Sequence, residues 1–213
     1  MKKLVQTLLG LSLICCLISP ANATFIDFTS DTWKDVVGDT YSRVIDDITV
    51  ELSTGTTDKL TWNPEQTGVS LPNGLAGAGD GIGIGDDEIA ADEILTISFS
   101  SDVFVETIYL LDLFQNENHK DHKDGEWGQY SFDSDNWNEV GGGSDTLNPW
   151  GYFEIQTENT DTHSWIKFSS AYAGWDFSVA GLEITTTPNP EPTTMLLFGL
   201  GLLCFAGISR RII

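Results

Sequence analysis

Apolar and polar positions alternate most cleanly at residues 94–99, where Leu95, Ile97 and Phe99 are separated by Thr96 and Ser98. A period of two buries one set of side chains and leaves the other in water, so this segment predicts a half-buried strand. The pattern resumes at Val103, Phe104 and Val105 and again over residues 107–114, after a turn predicted at Ser100, Ser101 and Asp102. Ile108, Tyr109, Leu110 and Leu111 are nearly all apolar and suit a strand covered on both faces. Residues 43–52 read as one strand through Val44, Ile48, Val50 and Leu52, and residues 25–28, 60–62, 152–155, 165–168 and 177–184 complete about eight or nine strands. Helical periodicity is weak between them. The one helical expectation is a short turn over residues 86–93, capped by Asp86 or Asp87. Gly, Pro, Asn and Asp clusters punctuate the chain with no repeat of fixed period. The predicted fold class is therefore all-β, an antiparallel β-sandwich with a jelly-roll-like number of strands.

The two ends break this pattern. Lys2 and Lys3 precede an apolar run over residues 4–18, and Ala21-Asn22-Ala23 supplies small residues at the spacing of a cleavage site. This predicts a signal peptide over residues 1–23, cut after Ala23 by signal peptidase, rather than an uncleaved anchor, for which the run is short. At the other end, Pro188, Pro190 and Pro192 remove backbone donors and bias their neighbours to extended geometry, so no strand or helix is expected to cross them. Residues 195–208 follow without a charge; as a helix they span about 21 Å, short of the roughly 30 Å of a bilayer core. Thr193, Thr194 and Ser209 lengthen the segment, and Arg210 and Arg211 can snorkel, which predicts a thin transmembrane helix. The positive-inside rule then sets the arginines in the cytoplasm and the preceding domain on the periplasmic side of the inner membrane.

Pro190-Glu191-Pro192, a Gly- and Leu-rich hydrophobic helix and the terminal Arg210-Arg211 pair, in that order, resemble the PEP-CTERM sorting signal of Gram-negative bacteria that make extracellular polysaccharide. The resemblance covers residues 188–213, with Ile212 and Ile213 trailing the arginines as a small departure. It implies recognition by an exosortase, a membrane-embedded cysteine transpeptidase, with cleavage near Pro190-Glu191-Pro192. The chain is the substrate in that reaction, and a passage to the cell surface or extracellular matrix follows. The pattern of residues 92–99, 103–108 and 179–184 also resembles the jelly-roll domains attached to such tails, which look broadly like carbohydrate-binding modules; this bears on fold more than on function.

Three segments result: residues 1–23, 24–187 and 188–213. Of 32 acidic residues only Glu191 lies in the terminal segments, against Lys2, Lys3, Arg210 and Arg211 of 10 basic ones, so the central domain carries 31 acids and 6 bases. A net charge of −25 repels phosphate backbones and anionic headgroups and argues against nucleic acid as a partner, while leaving cations, neutral sugars or plain solubility open. All 7 Trp fall in the central domain, a load that disordered acidic segments do not carry. Cys15, Cys16 and Cys204 all lie in the terminal apolar runs, so the domain has neither a disulfide framework nor a thiol nucleophile.

Within the domain, the glycine-rich stretch over residues 73–88 is the most unusual. Its glycines permit tight turns that let oxygen ligands converge, making Asp80, Asp86, Asp87 and Glu88 candidate calcium ligands, with a solvated surface loop as the competing reading. His119, Asp121 and His122 have ligand chemistry for a transition metal, although so polar a segment reads more readily as a solvated loop. Trp127, Trp137, Trp150 and Trp175 stand in Gly- and Asp-rich surroundings or at strand ends, where an exposed indole can stack on a sugar and a buried one is core. No Gly-x-Ser-x-Gly elbow and no zinc-protease helix motif occurs. The expectation is a non-enzymatic structural or polysaccharide-binding component of the matrix or cell surface; a calcium-stabilised adhesion module and a secreted carbohydrate-active enzyme are the alternatives.

Overall fold

The computed structural model describes residues 23–64, 70–86, 88–114, 125–133, 135–141, 151–158 and 160–186. The expected signal segment up to Asn22, with Ala21, and the tail from Thr187 on, with Pro190, Glu191, Pro192, Arg210 and Arg211, lie outside them. So do Asp87, His119, Asp121, His122 and Trp150. Among the described residues, no helix is long and apolar enough to cross a membrane. Ala23–Thr186 forms one compact unit.

That unit is all-β. Its strands are β1 (Ala23–Asp27), β2 (Thr40–Ile45), β3 (Ile48–Thr54), β4 (Leu60–Thr61), β5 (Gly83–Ile84), β6 (Leu95–Leu111), β7 (Trp127–Ser131), β8 (Asn138–Gly141), β9 (Phe153–Gln156), β10 (His163–Ser170) and β11 (Ser178–Thr186). Every strand pair is antiparallel. The longest strand, β6, serves two ladders. Its first part pairs with β3 and β10, and its second with β11 and β9. One layer therefore runs β2-β3-β6-β10-β7-β8 and the other β1-β11-β6-β9, with β4 and β5 forming a small separate ladder. A strand that passes from one layer to the other is how such sandwiches turn a corner.

The predicted turn at Ser100, Ser101 and Asp102 does not end the strand. The ladder to β10 steps from Trp165↔Ser98 directly to His163↔Val103, so the polar residues between them bulge outward while β6 continues. Residues 43–52 correct the expectation in the opposite sense, since the single strand is a hairpin. Asp46 and Asp47 both take positive φ, 46° and 69°, and close the two-residue turn between β2 and β3. Short polar side chains tolerate that region, and a primed turn matches strand twist. The helical turn expected over residues 86–93 is also absent among the described residues, because the backbone there forms a bridge between Ile84 and Glu88.

The alternation read from the sequence does set the core. Leu95, Ile97, Val105, Ile108 and Leu110 of β6 meet Val50 and Leu52 of β3, Ile166 and Phe168 of β10, and Val179, Leu182 and Ile184 of β11 in one buried cluster. Burying each such side chain stabilises the fold by about 1.5–3 kcal/mol. Tyr130, Phe132, Val140, Phe153 and Ile155 pack on the flank of this cluster and are only partly covered.

Candidate functional site

On this partly covered flank the described residues leave a cleft. A cleft of about 370 Å³ is lined by Tyr130, Phe132, Asn138, Gln156, Thr157 and Glu158, a volume in the range of small-ligand sites, roughly 300–1,000 Å³. β7 supplies Tyr130 and ends just before Phe132, β8 opens with Asn138 opposite Tyr130, and β9 ends at Gln156. The opening therefore lies between the outer pair of one layer and the last strand of the other.

Short-range chemistry fixes each wall. Asp133 accepts hydrogen bonds from the amides of Asp135 and Asn136 at 2.8 and 2.7 Å, and from Asn136 Nδ2 at 2.9 Å. The Asn136 side chain and then the two amides hold the Asp133 carboxyl below its ordinary value. Ser131 Oγ donates within the same turn, 2.6 Å from the Asn136 carbonyl. This turn anchors Phe132 on one side and Asn138 on the other. The ring of Phe132 meets that of Tyr130 edge-on at 5.7 Å and 78°, and lies against the His163 imidazole at 4.4 Å and 21°. Burial raises the Tyr130 phenol. On the opposite wall, Gln156 Nε2 donates to Glu154 Oε1 at 2.7 Å, and the Thr157 amide donates to the Glu106 carbonyl at 2.9 Å. The cleft is thus lined by two aromatic rings, two carboxamides, the hydroxyls of Tyr130 and Thr157 and the Glu158 carboxylate. Among the described residues that line it, none is basic.

A second cluster has a different character. Glu88 is pushed up to about 10, first by burial, then by a hydrogen bond and repulsion from Asp176, and further by Asp112 and Glu126. Burial and the neighbouring Asp176 carboxyl both favour the protonated form of Glu88. Asp112, Glu126 and Asp80 are themselves buried. Glu126 Oε2 accepts from the Phe114 amide at 2.8 Å, and Ser178 Oγ lies 2.6 Å from the Asp80 carbonyl and 3.0 Å from Asp112 Oδ2. Of the expected calcium ligands, Glu88 faces Asp176 and Asp112, exposed Asp86 acts on Glu93 together with Asp58 and Asp92, Asp80 is buried, and Asp87 lies outside the described residues. Among the described residues, no group of three or more His, Cys, Asp or Glu side chains is arranged to hold a metal ion.

The tryptophans are distributed more conventionally. Trp175 is 2% exposed and meets Tyr172 edge-on at 4.7 Å, so it offers no face to a ligand. Trp127 is half-buried over Gly141, where an added Cβ would lie 3.0 Å from the indole, and Trp137 is half-buried in the β7–β8 turn. The lining rings of the cleft are instead Tyr130 and Phe132, which lie outside the strands predicted from the sequence. Their alternation around Ser131, followed by the Asp133 turn, was the available signal.

Residues 190–211 match the family model described as the PEP-CTERM protein-sorting motif. The motif marks an exported protein with a C-terminal sorting signal and an exosortase as its processing partner. No curated protein and no solved structure matches the chain at a significant level.

Proposed function

We propose that the β-sandwich of this exported, PEP-CTERM-bearing chain is a non-enzymatic polysaccharide-binding component of the cell surface or extracellular matrix. The observation that carries the reading is the cleft between Tyr130, Phe132 and Asn138 on one wall and Gln156, Thr157 and Glu158 on the other. A sugar ring has C–H faces that pack on aromatic rings and hydroxyls that exchange hydrogen bonds with amides and carboxylates, and this set of side chains offers both. Phe132 is backed by His163, and Gln156 is held by Glu154, so little ordering is left for binding to cost. Export with a C-terminal sorting signal agrees with this role, since polysaccharide of this kind lies outside the cell. Electrophoresis of the purified chain through gels containing neutral polysaccharide tests the reading. Wild-type migration should be retarded and Phe132→Ala should run as in an empty gel; equal migration of the wild type in every gel overturns it.

A further inference from the structure

The charges around the cleft are as informative as its lining. Glu158 is exposed at its rim, and Glu154 stands behind Gln156, whose amide nitrogen it holds at 2.7 Å. Asp133 and Asp135 in the β7–β8 turn, Glu139 on β8 and Asp161 in the β9–β10 connection add exposed carboxylates on the adjoining elements. The basic side chain of β10, Lys167, sits with its ammonium 4.8 Å over the Trp165 ring. The His163 imidazole lies against the Phe132 ring. Neither lines the opening.

We propose that the cleft sorts glycans by charge, favouring a hexosamine unit with a protonated amine over a neutral hexose, and a neutral hexose over a uronate. The inference rests on the polysaccharide reading and assigns a ligand class to the same site. A ligand ammonium beside Glu158 gains a charge-assisted hydrogen bond, whereas a uronate carboxylate there meets a like charge that none of the described lining residues offsets with a positive one. Across a few ångströms at a solvent-facing rim, each effect amounts to a few-fold in affinity, so the extremes of the series should differ by about tenfold or more at low salt. Added salt should narrow the difference, since rim charges are screened. The neutral part of recognition rests on Tyr130, Phe132, Asn138 and Gln156, and salt should leave it largely unchanged.

The test is calorimetric titration of the full chain with three oligosaccharides of matched length and linkage: a glucosamine oligomer, its N-acetylated form and a glucuronate oligomer. Wild type should bind them in that order. Glu158→Gln should bring the three within a few-fold of one another, and Glu158→Lys should favour the uronate. Because Glu158 is exposed, neither substitution disturbs the core, and unchanged melting temperatures confirm it. Equal wild-type binding of all three, or an order that survives in both variants, overturns charge sorting at this rim and leaves the polysaccharide reading standing. Absence of binding to any of the three overturns both.

Discussion

Phe132 lies nearly flat on His163, with ring centroids 4.4 Å apart and planes inclined by 21°. Phe132 follows β7 and His163 opens β10, and the two meet because β10 begins beside the turn that follows β7. Stacking of this kind contributes about 0.5–1.5 kcal/mol beyond the area it buries, and here it fixes the ring that lines the cleft. His163→Ala should weaken glycan binding several-fold, while His163→Phe, which preserves a flat partner, should restore most of it. Titration of the three proteins with one neutral oligosaccharide checks this; equal affinities would show that His163 does not position Phe132.

The Glu88 proton predicts how stability depends on pH. Its folded pKa lies above its unfolded value of 4.5, so the folded state holds a proton that the unfolded chain releases. That contribution is complete below pH 4.5 and is lost as pH rises towards about 10. Glu93, raised first by its burial, acts in the same direction. Glu88→Gln retains a donor for Asp176 without a charge, so it should melt higher than wild type at alkaline pH and close to it in acid. Melting curves across the range decide the matter. A chelator-induced drop in the wild-type melting temperature at alkaline pH would instead put a cation where the proton is assigned.

Two glycines with similar backbone angles separate close approach from conformational freedom. Gly81 has a φ of +108° and its Cα faces the Val179 carbonyl, which an added Cβ would meet directly; Gly38 has a φ of +98° and open space around it. Ile82 and Val179 exchange backbone hydrogen bonds of 2.9 and 3.0 Å beside Gly81, so the main chain there has little room to shift. Gly38→Ala should cost about 1–3 kcal/mol, the scale of a strained dihedral, and Gly81→Ala distinctly more. Denaturant titrations measure both. Equal losses would mean that the Val179 contact yields.

Replacing Pro190, Glu191 and Pro192 by alanine should leave export intact and block processing of the tail. Immunoblots of cell fractions with an antibody to the β-sandwich distinguish the two steps. Unchanged trimming would show that the exosortase does not read these residues.

The parts of the fold legible in the sequence are those where one face is dry. Leu95, Ile97 and Phe99 on β6 and the apolar residues of β11 declare themselves because each packs on the common core. Asp46 and Asp47 were hidden because Val44 and Val50 flank them with an apolar appearance, although Val44 is 65% exposed. β7 and β8 escaped notice for the opposite reason. Gln129, Asn138 and Glu139 break the alternation, and these strands are held by ladder hydrogen bonds and the Asp133 turn rather than by deep burial. The cleft inherits that obscurity, since it is built on these two strands and the end of β9. Glu88 was legible as unusual from its glycine-rich neighbourhood, but its partners Asp176, Asp112 and Glu126 lie elsewhere in the chain and only the fold brings them near.

Sugar binding at the cleft is tested most directly by chemical-shift mapping. Isotope-labelled protein titrated with an N-acetylated hexosamine oligomer should show its largest backbone and side-chain shifts at Tyr130, Phe132, Asn138, Gln156 and Thr157. Shifts centred instead on Trp127 and Trp137, or no shifts at saturating ligand, would contradict it.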